Sequence, residues 1–451
     1  MNRGAKRQAL AATLLCVAGV VLMLAFGSHA TNAATQADPF EPLAQAFVSL
    51  ALQLGHSPGH ESEVDSYFGA ATLVPTAAAP SRTLAELSAT AQRLVADISH
   101  QQQHLPSTRG ARLLDQARTL AALIEELQHP HARSFAAQAW AVYAMRVPAV
   151  DPQATRRTLS ALAALLPGTG SVADRLDAYR LRFVIAPQRR RAVFERALQE
   201  CRARTLKHWA LPGGERVEVE WSTDVPAAWQ RYQGGNRSTL QINAQAVAFA
   251  EQALDVACHE AYPGHHSQFV LLTQHAGPTG PPVEDTIALL HSPASVLREG
   301  AANFGVELAF PLAARVAFDR NVLFPLAGLD PSQADRYEHV NALVADLAAA
   351  AVPILASYQD GSRSFADAAA ELRADALVSS PEALLRFVDE EGAYTLGYTA
   401  ARDSIRNFVR ARSACTKEDP WRVLAEVVSV PEVTALSADG SNCTSRADRT
   451  G

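Results

Sequence analysis

The sequence predicts a mainly α-helical fold: one large helical domain with a small antiparallel sheet next to a helix that bears metal-ligand residues. Three observations lead there. Apolar residues recur at three- and four-residue spacing over most of the chain. Two short segments before residue 244 alternate with period two instead. Just after them stands Cys258-His259-Glu260-Ala261-Tyr262-Pro263-Gly264-His265-His266. At 451 residues, 48% hydrophobic and 19% charged, the chain has a globular composition and enough length for a large core. A net charge of −6 is mild and gives no reason to expect nucleic acid or an anionic membrane as partner.

Arg3, Lys6 and Arg7 precede an apolar run over 9–26, and small-residue sites follow at Ala30 and Ala34. A basic start, an apolar stretch and a small-residue exit describe an export signal over 1–35, and so a periplasmic or extracellular protein. The length of the run leaves an uncleaved N-terminal membrane anchor as the alternative. Cys16 lies behind a poor lipobox, so no lipid attachment is expected, and no later stretch is expected to span a membrane. Cys201, Cys258, Cys415 and Cys443 allow three pairings. Cys415 with Cys443 would staple the tail, and Cys258 reads as a small buried apolar residue. No linker divides 36–436, which reads as a single domain, followed by a polar tail over 437–451.

Helices are expected over 83–100, 109–128, 133–146, 153–165, 171–183 and 189–206. In the second, Leu113, Leu114, Ala117, Leu120, Ile124 and Leu127 share a face. Arg189-Arg190-Arg191 reads as a solvated first turn. Leu211-Pro212-Gly213-Gly214 is turn chemistry, and strands follow over 217–221 and 236–243. Helical patterns return over 284–412.

Residues four apart on a helix lie about 40° apart around its axis. H-E-x-x-H therefore aims both imidazoles at one zinc, with the Glu within reach of a water there. Here the second histidine comes late. His259 and His265 are about 120° out of alignment on a regular helix, and His259 and His266 are roughly 10 Å apart along it. Pro263 removes a helical hydrogen bond and Gly264 permits unusual backbone. If the pair forms a kink of two residues, His259-Glu260-Ala261-Tyr262-His265 restores H-E-x-x-H. The alternative is a helix that ends at a Pro-Gly turn with polar residues at its exit. His56-Ser57-Pro58-Gly59-His60-Glu61 also sets histidines around Pro-Gly, but without an apolar helix, and no metal site is expected there.

Two histidines need a third ligand. Ser292 and Pro293 open a largely apolar helix with one polar line at four-residue spacing: Ser295, Glu299, Asn303 and Glu307. Such a line must face water, a polar partner or a metal. Glu299 follows His265 by 34 positions (299 minus 265), which suits a second packed helix, so Glu299 is the expected ligand. Glu307 and His266 are expected to support the site without binding the metal.

These residues resemble the bacterial DUF885 family, which is similar to gluzincin-type zinc metallopeptidases. Its HE-x-x-PGHH segment is matched by His259 to His266, and its Glu-Gly-hydrophobic-Ala segment by Glu299-Gly300-Ala301-Ala302. Asp65-Ser66-Tyr67-Phe68-Gly69, Glu200-Cys201-Arg202-Ala203-Arg204-Thr205 and the pair Tyr394 and Tyr398 resemble further segments, so the likeness runs from about residue 40 to 412. It implies a zincin-like catalytic domain that cleaves peptides.

The expected chemistry is hydrolysis of a peptide bond with Zn2+ held by His259, His265 and Glu299. Glu260 would be the general base. Tyr394 or Tyr398 would donate a hydrogen bond to the oxyanion, against ordinary packing as the plain alternative. The strand over 238–243 would offer an open edge to an extended peptide. Two other readings stay open: a non-catalytic metal- or peptide-binding envelope protein on such a scaffold, and a zinc hydrolase of non-peptide amides or esters.

Overall fold

The computed structural model describes residues 38–223 and 227–430. The export signal, the polar tail and the Cys415–Cys443 pairing therefore involve residues outside the described ones. In chain order the elements are α1 (Glu41–Gly55), β1 (Val64–Tyr67), α2 (Leu84–His104), α3 (Thr108–Gln128), α4 (Phe135–Tyr143), α5 (Pro152–Leu165), α6 (Val172–Arg180) and α7 (Pro187–Thr205). The strands β2 (Arg216–Trp221), β3 (Ala228–Gly234) and β4 (Arg237–Ile242) follow, then α8 (Ala250–Glu260), α9 (His265–His275), β5 (Ile287–Leu289) and α10 (Pro293–Ala309). The rest is helical: α11 (Leu312–Phe318), α12 (Phe324–Ala327), α13 (Ala334–Ala345), α14 (Ala351–Gln359), α15 (Phe365–Asp375), α16 (Pro381–Glu391), α17 (Leu396–Thr399), α18 (Ala401–Thr416) and α19 (Pro420–Ser429). The described residues from Pro42 onward belong to one compact unit.

The helices start where the sequence supplies caps. Thr83 closes a capping box with Glu86 at the head of α2. Ser107, Ser134, Ser171 and Ser292 accept the third backbone N–H of α3, α4, α6 and α10. The buried face of α3 includes Leu113, Leu114, Ala117, Leu120 and Ile124 as expected, but Leu123 is buried and Leu127 only half so. The arginine run differs from expectation. Arg190 turns inward, where its Nε donates to the Ile185 carbonyl at 3.1 Å and its Nη1 to Gln245 Oε1 at 2.7 Å. Those acceptors satisfy a guanidinium that is 6% exposed.

The two strands expected from alternation are neighbours, but they run parallel, with Val217 opposite Ser238 and Val219 opposite Leu240. The antiparallel partner of β4 is β3, a strand not anticipated from sequence. The order is β2-β4-β3, so β4 is central. This corrects the expectation that 238–243 offers an open edge, because both its sides are already hydrogen-bonded. A separate antiparallel pair joins β1 to β5.

The sheet packs on the histidine-bearing helices. Tyr232 of β3 stacks on Phe269 of α9 with ring centroids 5.1 Å apart, and Phe68 meets Tyr232 edge-on. A second core gathers Tyr179, Phe183, Phe324, Tyr337 and Val340 from the helices around α6 and α13. The stretch Pro331–Gln359 does reach membrane-spanning length and apolarity, contrary to expectation. In the structure, however, its Tyr337, Val340 and Leu347 are fully buried among other helices of this core.

Cys258 is not merely a small buried residue. It forms a disulfide with Cys201, which joins α7 to α8 one residue before His259. Closing a loop of 57 residues removes denatured-state entropy worth about 4 kcal/mol. Calorimetry of a Cys201→Ser/Cys258→Ser double variant should show a loss of that order.

Candidate metal centre

Helix α8 ends at Glu260 and α9 begins at His265, so Pro263–Gly264 forms a corner between two helices rather than a bulge inside one. The Gly264 N–H donates to the Cys258 carbonyl at 3.0 Å, and the Ser267 N–H to that of Ala261 at 3.1 Å. The chain turns so tightly that a Cβ on Gly264 would lie 1.6 Å from the His259 carbonyl oxygen. No residue but glycine fits there. Pro263 packs against Gly305 of α10, where a Cβ would meet its ring at 2.8 Å. The corner and the ligand-bearing helix are thus seated on each other.

This corner places His265 opposite His259. Their Nε2 atoms are 3.1 Å apart and their rings nearly perpendicular, at 89°. Glu299 arrives from α10, with Oε2 3.2 Å from His259 Nε2 and Oε1 3.5 Å from His265 Nε2. Among the described residues this is the one group of three or more His, Cys, Asp or Glu side chains whose ligand atoms converge within 4.8 Å. Ligands about 2.1 Å from a tetrahedral metal sit roughly 3.4 Å from each other, which matches these separations. Glu299 Oε2 is buried and has no aligned hydrogen bond. It is close enough to His259 for attraction but turned toward the shared centre. Two imidazoles and a carboxylate around an orphaned oxygen fit a metal ion.

The electrostatics follow from the same convergence, and a metal would have to displace a proton from His259. Burial opposes the Glu299 charge, yet His265 and His259 outweigh it and hold the carboxyl well below its usual range. Burial likewise works against a charge on His259, but Glu299 outweighs it and raises its pKa to about 9. In the tautomer whose Nδ1–H donates to Asn303 Oδ1 at 3.1 Å, His259 turns its Nε2 lone pair to the centre. Tyr394, 2% exposed, donates to Glu299 Oε1 at 3.4 Å and bonds Ser295 Oγ at 3.1 Å. The polar line of α10 is thus used three times over. Its fourth member departs from expectation: Glu307 pairs with Arg402 and Arg406 at 3.3 Å and does not support the site.

His266 points away from the centre. Its Nε2 donates to Glu215 Oε2 at 3.0 Å and its Nδ1 accepts from Ser238 at 2.8 Å. Tyr262 donates to the same Glu215 oxygen at 2.6 Å, and Arg202 Nε to the other at 2.9 Å. Burial raises the Glu215 pKa, but His266, Tyr262 and Arg202 together bring it down to about 2. This network ties the corner to α7 and the sheet. Sequence reasoning missed Glu215 and Asn303; the four-residue line of α10 held the signal for Asn303, and Glu215 had none.

Glu260 lies beside the triad, and burial pushes its pKa up. Tyr398 is 48% exposed, with its ring centroid 5.7 Å from that of Tyr394. Asp65, within electrostatic reach of His265 and Glu299, accepts from Trp229 Nε1 at 3.4 Å. His56 bonds the Ala79 carbonyl at 3.2 Å and joins no metal cluster.

No protein-family profile and no curated protein matches the sequence. Among solved structures, one neighbour is a Colwellia psychrerythraea protein provisionally described as a lipoprotein. It has a TM-score of 0.49 at 15% identity, covering 79% of this chain and 68% of that one. A second, from Shewanella oneidensis, is provisionally described as a lipoprotein of unknown function. It has a TM-score of 0.45 at 13% identity, covering 78% and 72%. The third is the M32 carboxypeptidase of Deinococcus radiodurans R1, with a TM-score of 0.37 at 13% identity, covering 88% and 90%. None of these likenesses is close enough to carry an argument about this chain.

Gly264→Ala and His265→Ala should both lose the metal by equilibrium dialysis with elemental analysis. His266→Ala should keep it and lose about 1–3 kcal/mol of stability through the loss of a buried hydrogen bond to Glu215 and of the partner of Ser238. Asn303→Ala should weaken metal affinity roughly 10- to 100-fold. His291, just before α10, lies between Glu63 at 2.7 Å and Glu391 at 2.6 Å. Burial opposes its charge, but Glu391 and Glu63 outweigh it and raise its pKa to about 9. That stabilisation is complete below about pH 6.5, the ordinary histidine value, and is lost as pH rises through 9. Thermal melts should therefore fall across this window, and less steeply in His291→Gln.

Proposed function

We propose that this chain is an exported zinc-dependent hydrolase of peptide bonds. The observation that carries the reading is Glu260. It is a carboxylate beside a three-ligand centre and forms no hydrogen bond or ion pair among the described residues. A metal site that only braces a fold has no use for a free acid at its edge. A catalytic one needs it, together with an open coordination position.

Two imidazole nitrogens and one carboxylate oxygen are a donor set suited to zinc, with His259, His265 and Glu299 as holders. When bound, zinc would act as a Lewis acid that polarises the scissile carbonyl and makes water a better nucleophile. Glu260 takes the proton of the attacking water and passes it to the leaving amine nitrogen. A pKa raised by burial brings this carboxylate closer to neutral pH, where it can serve as base and then as acid. The two tyrosines divide the remaining work. Tyr394 is buried and engaged with Glu299, so it holds a ligand in place. Tyr398 is the exposed one, and burial of its hydroxyl together with the Glu299 charge raises its pKa, keeping it protonated. It is the donor available to an oxyanion. With β4 enclosed, the edge strands are β2 and β3, and we assign an extended peptide to β3, whose Trp229 reaches Asp65 beside the centre.

Peptide as substrate follows the resemblance of the HE-x-x-PGHH segment to the DUF885 family and its gluzincin-like chemistry. Export follows the basic and apolar N-terminus, and the Cys201–Cys258 disulfide suits an oxidising compartment.

The test is incubation of the zinc-loaded protein with a diverse peptide mixture, read by mass spectrometry beside Glu260→Gln. Wild type should cleave, and the variant should keep its zinc without cleaving. Cleavage by both removes Glu260 from its role. Cleavage by neither, with zinc bound and the fold intact, rejects the peptidase reading. Tyr398→Phe should lower kcat roughly 10²- to 10³-fold with little change in zinc content.

A further inference from the structure

Beside the metal centre lies a cavity of about 630 Å3, within the size range of small-ligand sites. It is bounded by α3, α4, β5 and the first turns of α10. It includes none of the metal ligands, but Arg298 is part of its wall and the next residue is Glu299. Adjacent residues on a helix point about 100° apart. The cavity and the metal centre therefore occupy neighbouring faces of one helix.

The charges of the wall are unbalanced in one place. Its ionisable residues are Arg112, Asp115, Arg118, Glu284 and Arg298, which sum to one positive charge (three minus two). Arg112 pairs with Asp285 at 2.9 Å, Arg118 with Asp115 at 3.5 Å, and Glu284 with Arg109 at 2.7 Å. Arg298 has no ion pair and its guanidinium no hydrogen bond among the described residues, although it is only 8% exposed. Its contact is with a ring, its Cζ lying 4.7 Å from the centroid of Phe269. Asp65 and Asp285 act on it electrostatically, but Asp285 is taken by Arg112 and Asp65 accepts from Trp229. A guanidinium in so enclosed a place, with no protein group on its donors, is open to an anionic ligand in place of water. The group that fits its fork is a carboxylate. The exposed Trp140, at 53%, adds an apolar surface to the wall.

We propose that this cavity is the subsite for a carboxylate carried by the peptide substrate, and that Arg298 pairs with that carboxylate and sets the specificity. The peptide nature of the ligand rests on the hydrolase reading above; the binding of a carboxylate does not. The source of the carboxylate is either an acidic side chain or the chain's own C-terminus.

The probes are alanine-based hexapeptides with blocked ends and one Glu or Gln at each position in turn, together with the same Gln peptides carrying a free C-terminus. Binding is measured by calorimetry on zinc-loaded Glu260→Gln protein, so that no turnover is needed. One Glu position, or the free C-terminus, should bind about 10- to 100-fold more tightly than its neutral counterpart. That preference should vanish in Arg298→Gln. Ala141→Phe fills the cavity from α4 with Arg298 left in place and should abolish the preference too, so the test survives if the arginine variant fails to fold. No preference in any pair, or a preference unchanged by both substitutions, overturns the proposal. Cleavage by wild type without any acidic preference defeats the subsite and leaves the hydrolase standing. A preference that depends on Arg298, in a protein that cleaves nothing, leaves the subsite standing and defeats the hydrolase.

Discussion

The approach of the Gly264 backbone to the His259 carbonyl is the constraint on which the rest of the site depends. A helix that ran straight from Ala250 would carry His265 far out of line with His259. The chain instead stops at Glu260, turns through Pro263–Gly264 and starts a new helix at His265. The turn is so close that a single methyl group would collide with main chain. Because main chain cannot move aside as a flexible side chain can, the corner holds the relative position of the two imidazoles closely. Gly305 extends the same logic to α10, by letting Pro263 sit directly on the helix that bears Glu299.

Around that corner the polar groups are arranged in two separate systems. One faces inward: Glu299 between His259 and His265, with Asn303 behind the first imidazole and Tyr394 with Ser295 behind the carboxylate. The other faces the sheet, and runs from Arg202 through Glu215 to Tyr262, His266 and Ser238. Two adjacent histidines thus have different fates. His265 belongs to the metal system and His266 to the bracing one. The Cys201–Cys258 disulfide ties α7 to α8 at the point where both systems meet. Charge is stabilised in each by compensation rather than by water: several donors converge on Glu215, and His265 and His259 flank Glu299.

Helix α10 connects the systems to the neighbouring cavity. Its Gly300 lets α18 approach so closely that a Cβ would meet the Ala401 backbone at 2.6 Å. Ser295, Glu299 and Asn303 are left to the metal side, Glu307 pairs with arginines of α18, and Arg298 is part of the wall of the cavity. One helix thereby presents an anion to a cation site and a cation to an adjoining pocket within two consecutive residues.

Much of this was legible in local pattern. Three-residue and four-residue spacing located the helices from α2 to α7, though not α1, alternation located β2 and β4, and the four-residue polar line of α10 marked Glu299. These signals survive in a sequence because each depends on residues one or two turns apart. Other features depend on contacts between distant segments, and these were decided by the tertiary structure alone. The parallel pairing of β2 with β4 needs β3 on the far side. Cys258 pairs with Cys201 because α7 lies along α8. Arg190 is buried because carbonyl and amide acceptors wait for it. His265 rather than His266 joins His259 because a glycine corner, a buried Glu215 and a strand serine each claim their own side of the turn. Residue types and spacing determined that a metal could be held here; which atoms converge to hold it was settled by long-range packing, since no local rule fixes how two helices meet across a corner.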